Sequence, residues 1–176
     1  MTPARRRLDT VLSPDFIADV SELALDELRE RRRLAEEEEV EQSFVRRVLQ
    51  GKLDLLQAEL RVRAGEAHSL IESLPEVLAD DGPRPQFGRL PRYLSPGEHP
   101  WGRRPGDELV TDDVLTRLDD IPSQEIERLV AALREQERHV SEVRHELHRV
   151  IDALKGELTR RYASGEASIE ELLGER

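Results

Sequence analysis

The chain has 176 residues, of which 37% are charged and 3% aromatic, and it contains no cysteine. That length suffices for one domain with a modest core, but the composition argues against a thick globular interior and for helices packed along thin apolar seams; disulfides and thiolate metal sites are excluded. A formal net charge of −11 disfavours general nucleic-acid binding, which needs a concentrated basic surface, and favours a basic protein partner.

Basic Met1 to Arg7 lacks a following apolar core of signal-peptide length, and no apolar run approaches the roughly 18 residues of a membrane span. A cytoplasmic location is therefore expected. Residues 1–24 form an N-terminal segment in which Ser13-Pro14-Asp15 predicts a short helix, with Ser13 as cap and Pro14 in the first turn. From 25 to 65 the chain is free of proline, rich in Leu, Glu, Arg and Ala, and helical in period, which predicts one long helix weakened near Gly65. The acidic run Glu36 to Glu39, continued by Glu41, reads as a solvated face of that helix.

Residues 66–121 form a connector. Seven of the ten prolines fall between Pro75 and Pro105, interleaved with Gly82, Gly88, Gly97 and Gly102 and followed by Gly106, so regular structure should fail there. Phe87, Tyr93 and Trp101 lie in this stretch, either as anchors that dock it or as local contacts of an irregular segment. Thr111 with Asp112 and Asp113 predicts a short helix over 112–118. Pro122 and Ser123 open a second long helix over 122–162, and in the tail, 163–176, Ser168 and Glu171 have capping-box spacing before a last short helix ending near Leu173.

One polar constellation is written twice. Glu39, Ser43, Arg46, Gln50 and Asp54 recur ninety-eight positions later as Glu137, Ser141, Arg144, His148 and Asp152. At about 100° per residue these offsets fall within a stripe roughly 80° wide on one helix face. An apolar set repeats at the same offset: Val45, Leu49, Leu53, Leu56 and Leu60 match Val143, Leu147, Ile151, Leu154 and Leu158. Its spacing of 4, 3 and 4 is that of a coiled-coil seam, centred roughly 100° around the helix from the polar row. If both helices bury this seam and run antiparallel, the two polar rows emerge on one side; parallel packing sends them to opposite sides. The expected fold is all-α: an antiparallel two-helix coiled coil with short flanking helices and a long Pro/Gly-rich connector.

The first helix carries a second apolar row, Val40, Phe44, Val48, Leu55 and Val62, whose counterparts are mostly charged. A coiled coil needs one seam, so this row requires another partner: the N-terminal helix, the connector, or a separate protein.

The polar rows suit a guanine nucleotide. Arginine donates two hydrogen bonds to guanine O6 and N7, a carboxylate accepts from the donors of the Watson–Crick edge, and Ser, Gln and His reach phosphate oxygens or base edges. A hydrated helix surface uses the same residue types, and the duplication favours the binding reading. Each row is itself net negative, so base-edge recognition must supply much of the selectivity, with guanine preferred over adenine. Phosphate would rely on Arg46 and Arg144 with neighbours such as Arg47, Lys52 and Arg149.

The pattern Glu-x3-Ser-x2-Arg-x3-Gln-x3-Asp, present twice, resembles the signature of the RsiG family of actinobacterial anti-sigma factors, across both long helices and upstream through Leu23 to Arg33. The resemblance implies an antiparallel coiled coil that binds an intercalated pair of cyclic di-GMP molecules, two per chain, and in that state sequesters a sporulation sigma factor of the WhiG type. It implies main contacts to guanine and phosphate from Arg46, Asp54, Arg144 and Asp152, assisted by Glu39, Ser43, Gln50, Glu137 and Ser141. His148 departs from the motif's Gln; imidazole still donates one bond and accepts another, and its titration adds a pH dependence. The second apolar row, Val40, Phe44, Val48, Leu55 and Val62, is then a candidate surface for the sigma factor.

No Gly-rich phosphate loop, nucleophile motif or strand pattern points to an enzyme, and no catalytic residue is assigned. His145 and His148 sit one turn apart, but without further ligands they read as a solvated pair rather than a metal site. Gly51 and Gly156 are tolerated within helices, Gly156 matching Ala58 as a point of close helix approach. The alternative to the nucleotide reading is a structural coiled-coil adaptor that docks through the second apolar row.

Overall fold

The computed structural model describes residues 3–66, 114, 115 and 117–165. Every regular element among them is helical: α1 (Pro3–Val11), α2 (Leu25–Arg63) and α3 (Ser123–Ser164), with single 3-10 turns at Pro14–Phe16 and Leu118–Asp120. The fold is all-α, and α2 and α3 pack against each other extensively in the manner of a coiled coil.

Both long helices follow from local sequence. Their interiors hold no proline, and Pro122 stands just before α3, where its missing N–H costs nothing. Beyond α2, Gly65 takes a φ of 75°, a left-handed conformation that glycine adopts without a Cβ penalty. Gly65 N–H then donates to Val62 O at 3.0 Å and Glu66 N–H to Arg61 O at 2.9 Å, which satisfies carbonyls the helix would otherwise strand.

The short helix expected at Ser13-Pro14-Asp15 is a single 3-10 turn, with Ser13 at its N-cap position and Pro14 in its first turn. Ser13 makes no side-chain capping bond, while the α-helix of this segment is α1, upstream of it. Phe16, at the end of the turn, is buried, and Arg31 donates to its carbonyl at 2.6 Å with the guanidinium 5.4 Å from its ring centroid. Burial of Phe16 and this anchoring by α2 hold the chain here in place of a longer helix. Val114 and Leu115 are helical; the rest of the expected 112–118 helix up to Arg117, the aromatic residues of the connector and the short helix near Leu173 lie outside the described residues, apart from Arg117 itself, which is a turn.

Contacts divide the chain into two compact units, residues 1–42 with 142–176 and residues 43–141. The core of the first gathers Leu28 and Ala35 of α2, Leu147, Val150, Ile151, Leu154 and Leu158 of α3, and Val11 and Phe16. That of the second gathers Val45, Leu49, Leu53 and Leu56 of α2, Ile126, Val130, Leu133 and Val140 of α3, and Leu118. Within each unit, partner numbers fall on α3 as they rise on α2: Arg29 meets Tyr162 and Glu39 meets Arg144 in the first, while Arg46 meets Glu137 and Arg63 meets Ser123 in the second. Each repeated seam is therefore buried against the upstream part of the other helix rather than against its own copy.

The repeat runs further than the ten polar positions. Leu28 and Ala35 correspond at the same offset to Ile126 and Leu133, all fully buried. The turn bond from Glu22 N–H to Asp19 O, 2.9 Å, is matched by Asp120 N–H to Arg117 O, 3.0 Å. Each half of the chain is thus a turn followed by a long helix, built to one plan.

Candidate functional site

Glu39 and Arg46 are seven residues apart, as are Glu137 and Arg144. On α3 the buried positions Val130, Ile151 and Leu158 continue that same heptad row through Glu137 and Arg144; on α2, Leu53 and Leu60 continue it through Glu39 and Arg46. These four charged side chains consequently interrupt the apolar seam. The angular separation expected between polar row and seam does not hold for them, because 3.6 residues per turn lets a residue at offset 7 return to the seam's edge.

In the second unit, Glu137 is the acceptor at the centre. Its Oε1 receives Arg46 Nε at 3.0 Å, Ser141 Oγ at 3.0 Å and Gln50 Nε2 at 3.3 Å. In the first unit Glu39 plays the same part, receiving Arg144 Nη2 at 3.0 Å and lying 3.3 Å from His148 Nε2. The pairing is crosswise: the Glu of each copy of the constellation holds the Arg, and the Gln or His, of the other. Both ion pairs are about three-quarters buried, except that Arg46 keeps 35% of its side chain exposed. Each guanidinium is thereby held close to its carboxylate while solvent still reaches it.

The remaining positions fall around these centres. Ser43 is half-buried, and Asp54 and Asp152, one turn beyond Gln50 and His148, are exposed. Arg144 Nε is buried with no hydrogen-bond acceptor, a donor whose desolvation is uncompensated. The donor and acceptor set fits a guanine nucleotide: a guanidinium fork with an uncommitted N–H in one unit, carboxylates able to accept from N–H groups, and amide, imidazole or hydroxyl groups beside them. Among the described residues no group of three or more His, Cys, Asp or Glu side chains is arranged to hold a metal ion, and no helix is long and apolar enough to cross a membrane.

The acidic run is not a solvated face. Four consecutive helical residues point around the whole circumference: Glu37 is exposed, Glu38 is 2% exposed and paired with Arg7 of α1, and Glu39 faces α3. Gly156 needs correction too, because a Cβ built there meets nothing within 4 Å, nor does one at Gly51. No close helix approach requires either glycine. The second apolar row, Val40, Phe44, Val48, Leu55 and Val62, is half-buried throughout and belongs to neither apolar core.

Sequence reasoning missed two residue pairs. Arg63 donates to Glu59 Oε1 at 2.6 Å, to Leu118 O at 2.6 Å and to Ile121 O at 2.5 Å. Arg161, its counterpart at the same offset, donates to Glu157 Oε1 at 2.7 Å, Leu23 O at 2.7 Å, Ser21 O at 3.0 Å and Val20 O at 3.3 Å. Glu157 also accepts from Arg160, and the two arginines, Arg160 foremost, hold its carboxyl down at about 2. The signal was present in the sequence: extending the ninety-eight-residue comparison by one turn past Leu60 finds Glu59 with Arg63 and Glu157 with Arg161.

The family model described as RsiG-like matches residues 14–78 and 112–175. The two blocks begin ninety-eight positions apart, the same offset that relates the polar constellations and the buried seams. No match to the chain is found among curated proteins. Members of the matched family are non-catalytic regulators, and membership supports a regulatory role of the anti-sigma type. Matched over most of its length, in two blocks that coincide with its own internal repeat, the chain belongs to the RsiG-like family.

Proposed function

We propose that the protein is a cyclic di-GMP-responsive anti-sigma factor, which binds and sequesters a sporulation sigma factor of the WhiG type when loaded with the dinucleotide. The observation that carries this reading is the crosswise constellation, in which Arg46 is held by Glu137 and Arg144 by Glu39 at 3.0 Å each. Two chemically equivalent clusters, one in each unit, suit two molecules of a ligand that is itself two-fold symmetric.

Cyclic di-GMP, when bound, supplies guanine edges and phosphate oxygens. Arg46 and Arg144 donate to them, Asp54 and Asp152 accept from guanine N–H groups, and Glu39, Ser43, Gln50, Glu137, Ser141 and His148 complete the set. Each cluster draws on both long helices, so occupancy stabilises their pairing as an antiparallel two-helix coiled coil and favours the partner-competent form. The sigma factor docks on Val40, Phe44, Val48, Leu55 and Val62, the half-buried apolar row left out of both cores. The net charge of −11 suits a basic partner surface, and the protein acts in the cytoplasm.

Capture of a purified WhiG-type sigma factor on the immobilised protein, with and without cyclic di-GMP, tests this. Capture should need the nucleotide, fail in Arg46→Ala or Arg144→Ala, and fail in Phe44→Glu or Val48→Glu while those two still bind nucleotide. Capture that survives Arg46→Ala and Arg144→Ala would overturn the switch. A structural adaptor, docking through the same apolar row, predicts capture indifferent to nucleotide.

A further inference from the structure

We infer that Arg63 and Arg161 are positioning residues that fix the axial register of the two long helices, and so decide which charged groups face each other at the centre. The apolar seam does not specify register by itself. Its buried residues on α3, Ile126, Leu133, Val140, Leu147 and Leu154, recur every seven residues, and Leu49 with Leu56 repeat that interval on α2. Along this one row, a slip of seven residues therefore puts aliphatic side chains where others were.

The charged pairs do specify register, and they are of two kinds. The central pairs, Arg46 with Glu137 and Arg144 with Glu39, are the ones that the nucleotide reading requires to exchange partners, so they cannot also be the fixed reference. The terminal arginines carry no such duty. Arg63 continues the heptad of Leu49 and Leu56, and Arg161 that of Leu147 and Leu154, so each stands where the seam would place its next apolar residue. Each is tied by a glutamate one turn earlier, Glu59 or Glu157, and forks onto carbonyls of the turn that precedes the opposite long helix. Those carbonyls exist at one axial position only. A slip of seven residues displaces the fork by about 10 Å at 1.5 Å per residue, leaving an arginine that is 9% exposed at position 161 and its acceptors without partners. Both forks sit at helix C-termini, where a cation is favourable.

Spin labels on cysteines introduced at the exposed positions Arg47 and Arg134, both in the second unit, report register in the full chain, which has no cysteine of its own. In the wild-type background and with Arg46→Gln and Glu137→Gln, electron–electron distance measurement should give one population. Adding both Arg63→Met and Arg161→Met, so that neither fork is left, should give a second population, shifted as an axial slip of about 10 Å requires, with helicity by circular dichroism retained. Arg63→Lys together with Arg161→Lys, which keep the charges but cannot fork, should also populate it. A single unshifted distance in the folded Arg63→Met, Arg161→Met protein overturns the assignment, and if that variant does not fold, an unshifted distance in the Arg63→Lys, Arg161→Lys protein does so. This role rests in part on the nucleotide reading, but no nucleotide enters the measurement, so the two succeed or fail separately.

Discussion

A double-mutant cycle on Arg46 and Glu137 should return a coupling energy of about 1 kcal/mol. The pair is 3.0 Å apart, with 35% and 23% of the two side chains exposed. Two unit charges about 4 Å apart gain roughly 1 kcal/mol in bulk water and about 4 at an effective dielectric constant near 20. Partial exposure places this pair between those limits, and ordering two long side chains returns a comparable amount. A net value of about 1 kcal/mol remains, typical of a hydrogen-bonded ion pair. The single changes should be unequal. Glu137→Ala removes the shared acceptor of Arg46, Gln50 and Ser141, whereas Arg46→Ala leaves Glu137 two donors, so the glutamate change should cost about 1 kcal/mol more. Urea unfolding of the four proteins, followed by far-ultraviolet circular dichroism, gives both quantities. Additive changes, or an arginine change costlier than the glutamate change, would refute the shared-acceptor geometry.

Leu56→Ala and Leu154→Ala, at counterpart positions with no exposed surface, should each cost about 2–5 kcal/mol in denaturant unfolding, while Leu55→Ala in the half-buried second row should cost less than about 1; equal losses would place that row in a core. Glu157 is held at about 2 by Arg160 and Arg161, below an unfolded value near 4.3, so its contribution is fully present above about pH 4.3 and is lost as pH falls through about 2. Glu157→Gln should flatten the acid limb of a stability profile there, and an unchanged limb would count against the pairing.

The two long helices were legible because proline is confined to their flanks and Leu, Glu, Arg and Ala fill their interiors. Their observed ends, Leu25–Arg63 and Ser123–Ser164, lie within two residues of the sequence reading. The repeated polar row was legible too, since matching residue types at one offset need no knowledge of packing. What escaped was cross-helix pairing. That Glu39 meets Arg144, and Glu137 meets Arg46, depends on direction and register, which a single helix's periodicity does not carry. Glu38 looked like one more member of an acidic run, and its burial against Arg7 depends on α1, a helix of nine residues whose apolar positions Leu8 and Val11 are too few to stand out beside three consecutive arginines. Glu59 with Arg63 and Glu157 with Arg161 repeat at the same offset, but the carbonyl acceptors of the two arginines lie more than fifty positions away in sequence.

Calorimetric titration of the folded 176-residue chain with cyclic di-GMP decides whether the doubled constellation is a nucleotide site. Saturable binding of about two molecules per chain is expected, with no comparable binding of cyclic di-AMP and with the heat signal lost in the Arg46→Ala, Arg144→Ala double variant. A flat titration of protein whose helicity is intact would contradict that reading.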